Sequence, residues 1–331
     1  MLRLPAFDFQ PARSLEHALA LLAEHGNDAL LVAGGTDLYA NMKLGLFTPR
    51  VVIGLRSIAA LRRISFDPEQ GLRIGALCSL DSVARDPAVA LHYPALARAA
   101  TMVGTPEIRN MGTIGGNLCL ETRCNYYNQS AEWRKALGYC LKRDGDICRV
   151  AVHSPTCKAI NASDTAPVMQ AYDAAISLVG PLGERSVAVR DFYRNDGAHA
   201  SVRRSDEILT EIALPVPASG ARSSYRKLRL RNSFDFPLLG VAVAVATDAA
   251  GTCTQARLLL NAVGSAPIEV ESAGQILLGS HLAAATLADA AEEVFRAGKP
   301  LENANASLLY RKRMLRVLAR RALEDVVSPL R

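Results

Sequence analysis

Half of the 331 residues are apolar, enough for two or three domains with cores of their own, yet no run reaches the roughly 18 uninterrupted apolar residues that a membrane-spanning helix needs. The formal net charge of +6 is scattered along the chain, and the densest basic run, 311–321, has no aromatics interleaved to stack bases, so neither a nucleic-acid partner nor a membrane is expected. Its first residues, Met-Leu-Arg-Leu-Pro-Ala-Phe-Asp-Phe, read as mixed strand-like sequence without the apolar segment of a secretory signal, which sets the expectation of a reducing, cytoplasmic location.

Ser14 is placed to cap a helix over Leu15–His25, whose apolar positions Leu15, Ala18, Leu19 and Leu22 recur at three and four, and Gly26 is placed to close it. Residues 29–33 read as a buried strand that runs directly into Gly34-Gly35-Thr36-Asp37-Leu38. Paired glycines at a strand end let the backbone adopt positive φ and present bare N–H groups to a ligand, an arrangement that binds phosphate oxygens. Neither G-x-G-x-x-G nor G-x-x-x-x-G-K-[ST] occurs, so no Rossmann fingerprint or P-loop is assigned. Short strands are expected at 51–55, 62–66 and 72–75, and helices over 80–85, capped by Ser79, and 94–103. Met111-Gly-Thr-Ile-Gly-Gly-Asn117 then supplies a second glycine loop, and two such loops in one α/β region point to a diphosphate ligand.

About forty residues separate Asn117 from Ala159-Ile-Asn-Ala-Ser-Asp-Thr-Ala-Pro167, which reads as the resumption of what Asn117 interrupted. Five of the seven cysteines lie between them. Cys119, within Leu118-Cys-Leu120, reads as core. The other four, Cys124, Cys140, Cys148 and Cys157, are spaced C-x15-C-x7-C-x8-C, and four soft ligands in one loop suit either a structural zinc or an iron–sulfur cluster. Spacing alone does not separate the two, although the C-x2-4-C knuckle usual at zinc sites is missing. Disulfides would require an oxidising compartment. Asp164, just before an apolar helical run, can either cap that helix or hydrogen-bond the sugar hydroxyls of a cofactor.

Strands are expected near 175–179, 185–189 and 207–214, followed by the clearest linker, Pro215-Val-Pro-Ala-Ser-Gly220, then strands over 223–230, 238–247 and 254–262. Helical runs from about Ser265, Ala283 and Ala306 finish the chain; in the last, Met314, Leu315, Leu318 and Leu323 share one face with the charges mostly opposite. No H-E-x-x-H, no G-x-S-x-G and no nucleophile beside a base is found, so no catalytic residues are assigned.

Taken together, Leu31-Val-Ala-Gly-Gly-Thr-Asp-Leu38, Ile108-Arg-Asn-Met-Gly-Thr-Ile-Gly-Gly-Asn117, Ser163-Asp164-Thr-Ala-Pro167, Asp206-Glu-Ile-Leu209, and Tyr225-Arg-Lys227 with Ser233-Phe-Asp-Phe-Pro237 resemble the FAD-binding medium subunit of the xanthine dehydrogenase family of molybdenum enzymes. The resemblance covers essentially the whole chain in the right order. It implies an α+β chain: two N-terminal α/β FAD-binding subdomains at 1–57 and 58–217, then a three-stranded sheet with a helical bundle at 218–331. It also implies that Leu31 and Val32 are cofactor-binding and that Ala33, Gly34, Gly35, Thr36, Asp37 and Leu38 with Thr113, Gly115, Gly116 and Asn117 hold the FAD pyrophosphate. Asp164 would then contact the sugar or ribityl chain, Leu209 would pack near the flavin and Lys227 would lie near its polar edge. Val103 stands where the family often carries an aromatic residue.

The insertion at 119–158 departs from the common pattern and is similar to that of the beta subunit of 4-hydroxybenzoyl-CoA reductase, where it carries a 4Fe-4S cluster. This implies Cys124, Cys140, Cys148 and Cys157 as its ligands. The implied function is a relay from a low-potential donor such as ferredoxin, through 4Fe-4S and FAD, to 2Fe-2S clusters in a small partner subunit and molybdopterin in a large one, with a dimer of heterotrimers as the expected assembly. An oxidising counterpart, acting on an aromatic or N-heterocyclic substrate, is the alternative. Cluster potentials span from roughly −700 to +450 mV, so a low-potential centre is chemically available.

Overall fold

In the computed structural model, which describes residues 3–327, twelve strands form three sheets. The first joins β1 (Asp8–Pro11), β2 (Ala29–Val32) and β3 (Val51–Gly54), all parallel, in the order β1-β3-β2. The helix Leu15–His25 crosses over between β1 and β2. Ser14 Oγ accepts from His17 N at 3.2 Å, and Gly26, at φ +51°, returns its N–H to Leu22 O.

The second sheet is antiparallel and runs β4 (Ile64–Asp67), β5 (Gly71–Gly75), β8 (Ile208–Leu214), β6 (Ala175–Gly180), β7 (Gly183–Ala188). Both glycine loops and the cysteine insertion therefore precede the chain's return to this sheet in β6. Pro215–Gly220 then links β8 to a third sheet of β9 (Ala221–Leu228), β10 (Leu239–Thr247), β11 (Cys253–Asn261) and β12 (Ile268–Glu269). Three strands are expected here and four are found. The fourth is two residues long, too short for any periodicity to show, and it occupies the start of what reads as helix from Ser265.

Alternation along β10 explains how the domains share this sheet. Leu239, Val241, Val243 and Val245 face the helices Glu271–Leu277, Ala284–Ala297 and Leu308–Val327. Ala242, partly buried Ala244 and Gly240 lie on the other face, where small side chains let Pro94–Thr101 and Ala166–Ala171 come close.

One basic residue of the last helix departs from the expected solvated face. Arg311 is fully buried, and its guanidinium donates to Leu238 O at 3.1 Å, Ala262 O at 2.6 Å and Leu301 O. Burial pushes its pKa down to about 10. Replacing Arg311 by methionine strands two buried carbonyls and a half-buried one and is expected to destabilise the fold by at least about 2 kcal/mol, read as a lower denaturation midpoint at unchanged m-value.

Candidate cofactor site

The two glycine loops touch. A Cβ on Gly34 would sit 2.0 Å from Met111 O and 2.9 Å from Gly112 Cα, so only glycine lets the first loop lie against the second. Gly35 has φ +73°, and its Cβ would fall 2.5 Å from the Tyr39 ring. Beyond β2 the chain turns into the helix Leu38–Lys43, and among the described residues the backbone N–H groups of Gly34, Gly35, Thr36, Asp37 and Leu38 have no hydrogen-bond acceptor in the protein. Five consecutive unpaired amides on a half-buried loop are the donor set an anionic diphosphate requires.

In the second loop Thr113 Oγ1 accepts from Gly116 N at 3.1 Å, and Gly115 packs so closely on Ala76 that a Cβ would lie 2.7 Å from its methyl. Asn117 faces inward: its Oδ1 accepts from Ser163 Oγ at 2.8 Å and Thr165 Oγ1 at 2.7 Å. The segment after the insertion thus docks onto the residue before it. Ser163 Oγ also accepts from Ala166 N at 3.1 Å, so the start of the helix Ala166–Ala171 is held by Ser163 and leaves Asp164 free for other partners.

Those partners come from β9. Tyr225 and Lys227 are two residues apart and share a strand face. Tyr225 OH donates to Asp164 Oδ1 at 2.7 Å, and Lys227 Nζ donates to Asp164 Oδ2 at 2.7 Å and to Met102 O at 2.9 Å. The ion pair is almost wholly buried, its side chains 0% and 4% exposed. Asp164 and Lys227 thus meet each other beside Val103, whose side chain packs on the central core, and Leu209 is buried in the same core from β8. Leu31, Val32, Ala33 and Leu38 also turn their side chains into the N-terminal core, which leaves their backbone as the part available to a ligand. Tyr225 was not among the expected site residues, although its i, i+2 relation to Lys227 is a readable signal.

A cavity lies in the insertion. Cys124, Cys140, Cys148 and Cys157 are all buried and line one small space with Tyr126, Tyr127 and Lys142. One of their sulfurs receives an amide, Ala159 N donating to Cys157 Sγ at 3.4 Å, while Tyr127 N donates to the Cys124 carbonyl at 3.0 Å. Burial pushes the Cys124 and Cys157 thiols up to about 11. Among the described residues, no three His, Cys, Asp or Glu side chains are gathered to hold a single metal ion. Cys119 is a correction: it is exposed, because the helix Ile114–Leu118 ends just before it.

Arg123 joins the two places. Its backbone pairs with Ile160 at the neck of the insertion, its guanidinium lies 3.4 Å from Asp37 Oδ1, and it stacks 3.8 Å from the Phe236 ring centroid. Burial raises the Asp37 carboxyl above its usual range while Arg123 opposes the shift.

Comparison with known proteins matches residues 5–217 to the FAD binding domain in molybdopterin dehydrogenase and residues 223–326 to the CO dehydrogenase flavoprotein C-terminal domain. The chain belongs to the flavin-subunit family of the molybdenum hydroxylases. Within this family it is 31% identical to the carbon monoxide dehydrogenase medium chain of Afipia carboxidovorans, over 96% of both chains. It is 32% identical to the aldehyde oxidoreductase FAD-binding subunit of Escherichia coli, over 94% of this chain and 96% of that one. Reconstituted CO dehydrogenase from Oligotropha carboxidovorans superposes with a TM-score of 0.81 at 29% identity, covering 99% of this chain and 100% of that one. The unpaired amides of the first glycine loop fit the FAD that such a flavin subunit binds. As in the family at large, the chain is an oxidoreductase subunit, and among the described residues no helix is long and apolar enough to cross a membrane.

Proposed function

We propose that this chain is the electron-transfer subunit of a molybdenum hydroxylase-type complex, holding FAD at its glycine loops and a 4Fe-4S cluster at Cys124, Cys140, Cys148 and Cys157. The observation that carries the reading is the convergence of four buried thiols on one cavity of a flavin subunit, with the Ala159 amide donating to the Cys157 sulfur. Four thiols and no C-x2-4-C knuckle support a cluster over zinc. When bound, a flavin exchanges electrons singly or in pairs and a cluster exchanges them singly. The chain's own part is to hold both: Gly34 to Leu38 and Thr113 present amides, Asn117 fixes the second loop against Ser163 and Thr165, and Lys227 with Asp164 closes the interior beneath.

Partner subunits supply molybdopterin and 2Fe-2S clusters in this reading, because no second cysteine set is present. Relatives named as one chain of an assembly, among them the nicotinate dehydrogenase FAD-subunit of Eubacterium barkeri at 27% identity, support the partnership and favour oxidation of an aromatic or N-heterocyclic substrate. The four-cysteine insertion favours the opposite direction, reductive dehydroxylation of 4-hydroxybenzoyl-CoA with a low-potential donor such as ferredoxin. Metal and flavin analysis of anaerobically purified complex tests the cofactors. About four irons and four sulfides beyond those of the partner subunits, with one FAD, is the expected result, and stoichiometric zinc or no extra iron would sink it. Turnover of 4-hydroxybenzoyl-CoA with reduced donor, against oxidation of N-heterocycles with an acceptor dye, decides the direction.

A further inference from the structure

Within the cysteine insertion the buried charge is positive. Lys142, two residues after Cys140, lines the thiol cavity with only 4% of its side chain exposed. Its ammonium donates to Gly197 O at 2.7 Å, to Thr122 O at 3.2 Å, to the Thr122 hydroxyl and to Glu121 Oε1, and it lies 4.5 Å from the ring centroid of Tyr127. Its three N–H donors are shared among these oxygens, which hold the ammonium at the cavity wall. Arg149 also lines the cavity and donates only to backbone carbonyls, Tyr139 O at 2.8 Å and Gly138 O at 3.1 Å. Arg134, 3% exposed, leaves Nε and Nη1 without partners and donates to Gly45 O at 2.9 Å.

Against these stand few anions. Glu121, its side chain 29% exposed, is paired with Lys142, and Asp196 accepts from Cys157 N at 3.0 Å. Among the described residues neither Arg134 nor Arg149 is in an ion pair. A buried cation without a carboxylate is costly unless something anionic shares its surroundings, and a metal cluster held by four thiolates carries net negative charge.

We infer that Lys142 sets the reduction potential of the group held by the four thiols, with Glu121 as the anion that moderates it. The inference rests on the cluster reading above. Reduction adds one negative charge beside a fixed ammonium in a poorly solvated pocket, so Lys142 stabilises the reduced form more than the oxidised one and raises the midpoint potential. Glu121 acts with the opposite sign through the same ammonium.

The test is an anaerobic redox titration of the holo-complex followed by EPR, for Lys142→Met and Glu121→Gln. Lys142→Met keeps the length of the stem and is expected to move the cluster midpoint to more negative values. Glu121→Gln, at a partly exposed position, is expected to move it to more positive values, and the flavin midpoint is expected to stay in place in Lys142→Met. A purely structural role gives no reason for opposite signs. Should Lys142→Met lose its iron, the sign of the Glu121→Gln shift alone decides: a positive shift supports the inference, and no shift or a negative one overturns it. Wild-type complex without a cluster signal would instead remove the underlying reading and the inference with it, so the two failures are distinguishable.

Discussion

Replacing Gly34 by valine is expected to give a folded chain that purifies without its flavin. The added Cβ would meet Met111 O at 2.0 Å and the Met111 carbonyl carbon at 2.6 Å, and neither can rotate away because both are backbone. The two glycine loops must separate, and the five unpaired amides that follow β2 lose their aim together. We expect the affinity for FAD to fall at least about a hundredfold, roughly 3 kcal/mol. Flavin released on denaturation, compared with protein concentration, reads the loss, while circular dichroism shows whether the fold survives. A variant that retains full flavin at wild-type affinity would mean that the contact between the loops has no part in binding.

Cys124→Ser tests the proposed cluster. Iron and sulfide assigned to this chain should fall to a small fraction of the wild-type value, and the EPR signal after dithionite reduction should disappear or change type, with flavin content unchanged. Cys78 and Cys253 are equally buried but lie in the central and C-terminal cores, away from the insertion. Their serine variants should keep the metal. A full cluster in Cys124→Ser would show that the ligand set is wrong.

Much of this architecture is legible in the residues because local physics decides it. Ser14, Ser79 and Gly26 punctuate helices where side-chain caps and a positive φ require them. The strands β2, β3 and β5 announce themselves as short apolar runs. The glycine loops are visible for the same reason, since only glycine accepts the backbone at Gly35 and the close approach at Gly34. What the residues hide is settled between distant segments. Nothing near Asp164 foretells that both its oxygens are taken by Tyr225 and Lys227, about sixty positions later. The amphipathic pattern of the last helix likewise conceals Arg311, a charge whose acceptors are three carbonyls on loops and a strand end that only the fold brings together. Cys119 shows the converse, an apolar-looking neighbourhood whose helix stops one residue too early to bury it. Lys142 reads as one more surface lysine until Gly197 and Thr122 close over it.

Asn303 gives the insertion a dependence on what comes after it. Its carbonyl accepts from Asn125 N at 3.0 Å, its amide donates to Lys158 O at 2.7 Å, and Arg311 holds the loop from behind through Leu301 O. The residues flanking the first and last of the four cysteines are therefore clamped by a segment synthesised roughly 150 residues later, an interval on the order of 10 s at cellular rates of translation. During biogenesis the cysteine loop leaves the ribosome well before its clamp exists. The C-terminal domain thus closes over the insertion late: the backbone beside Cys124 and Cys157 gains these hydrogen bonds only once the chain beyond Asn303 has been made.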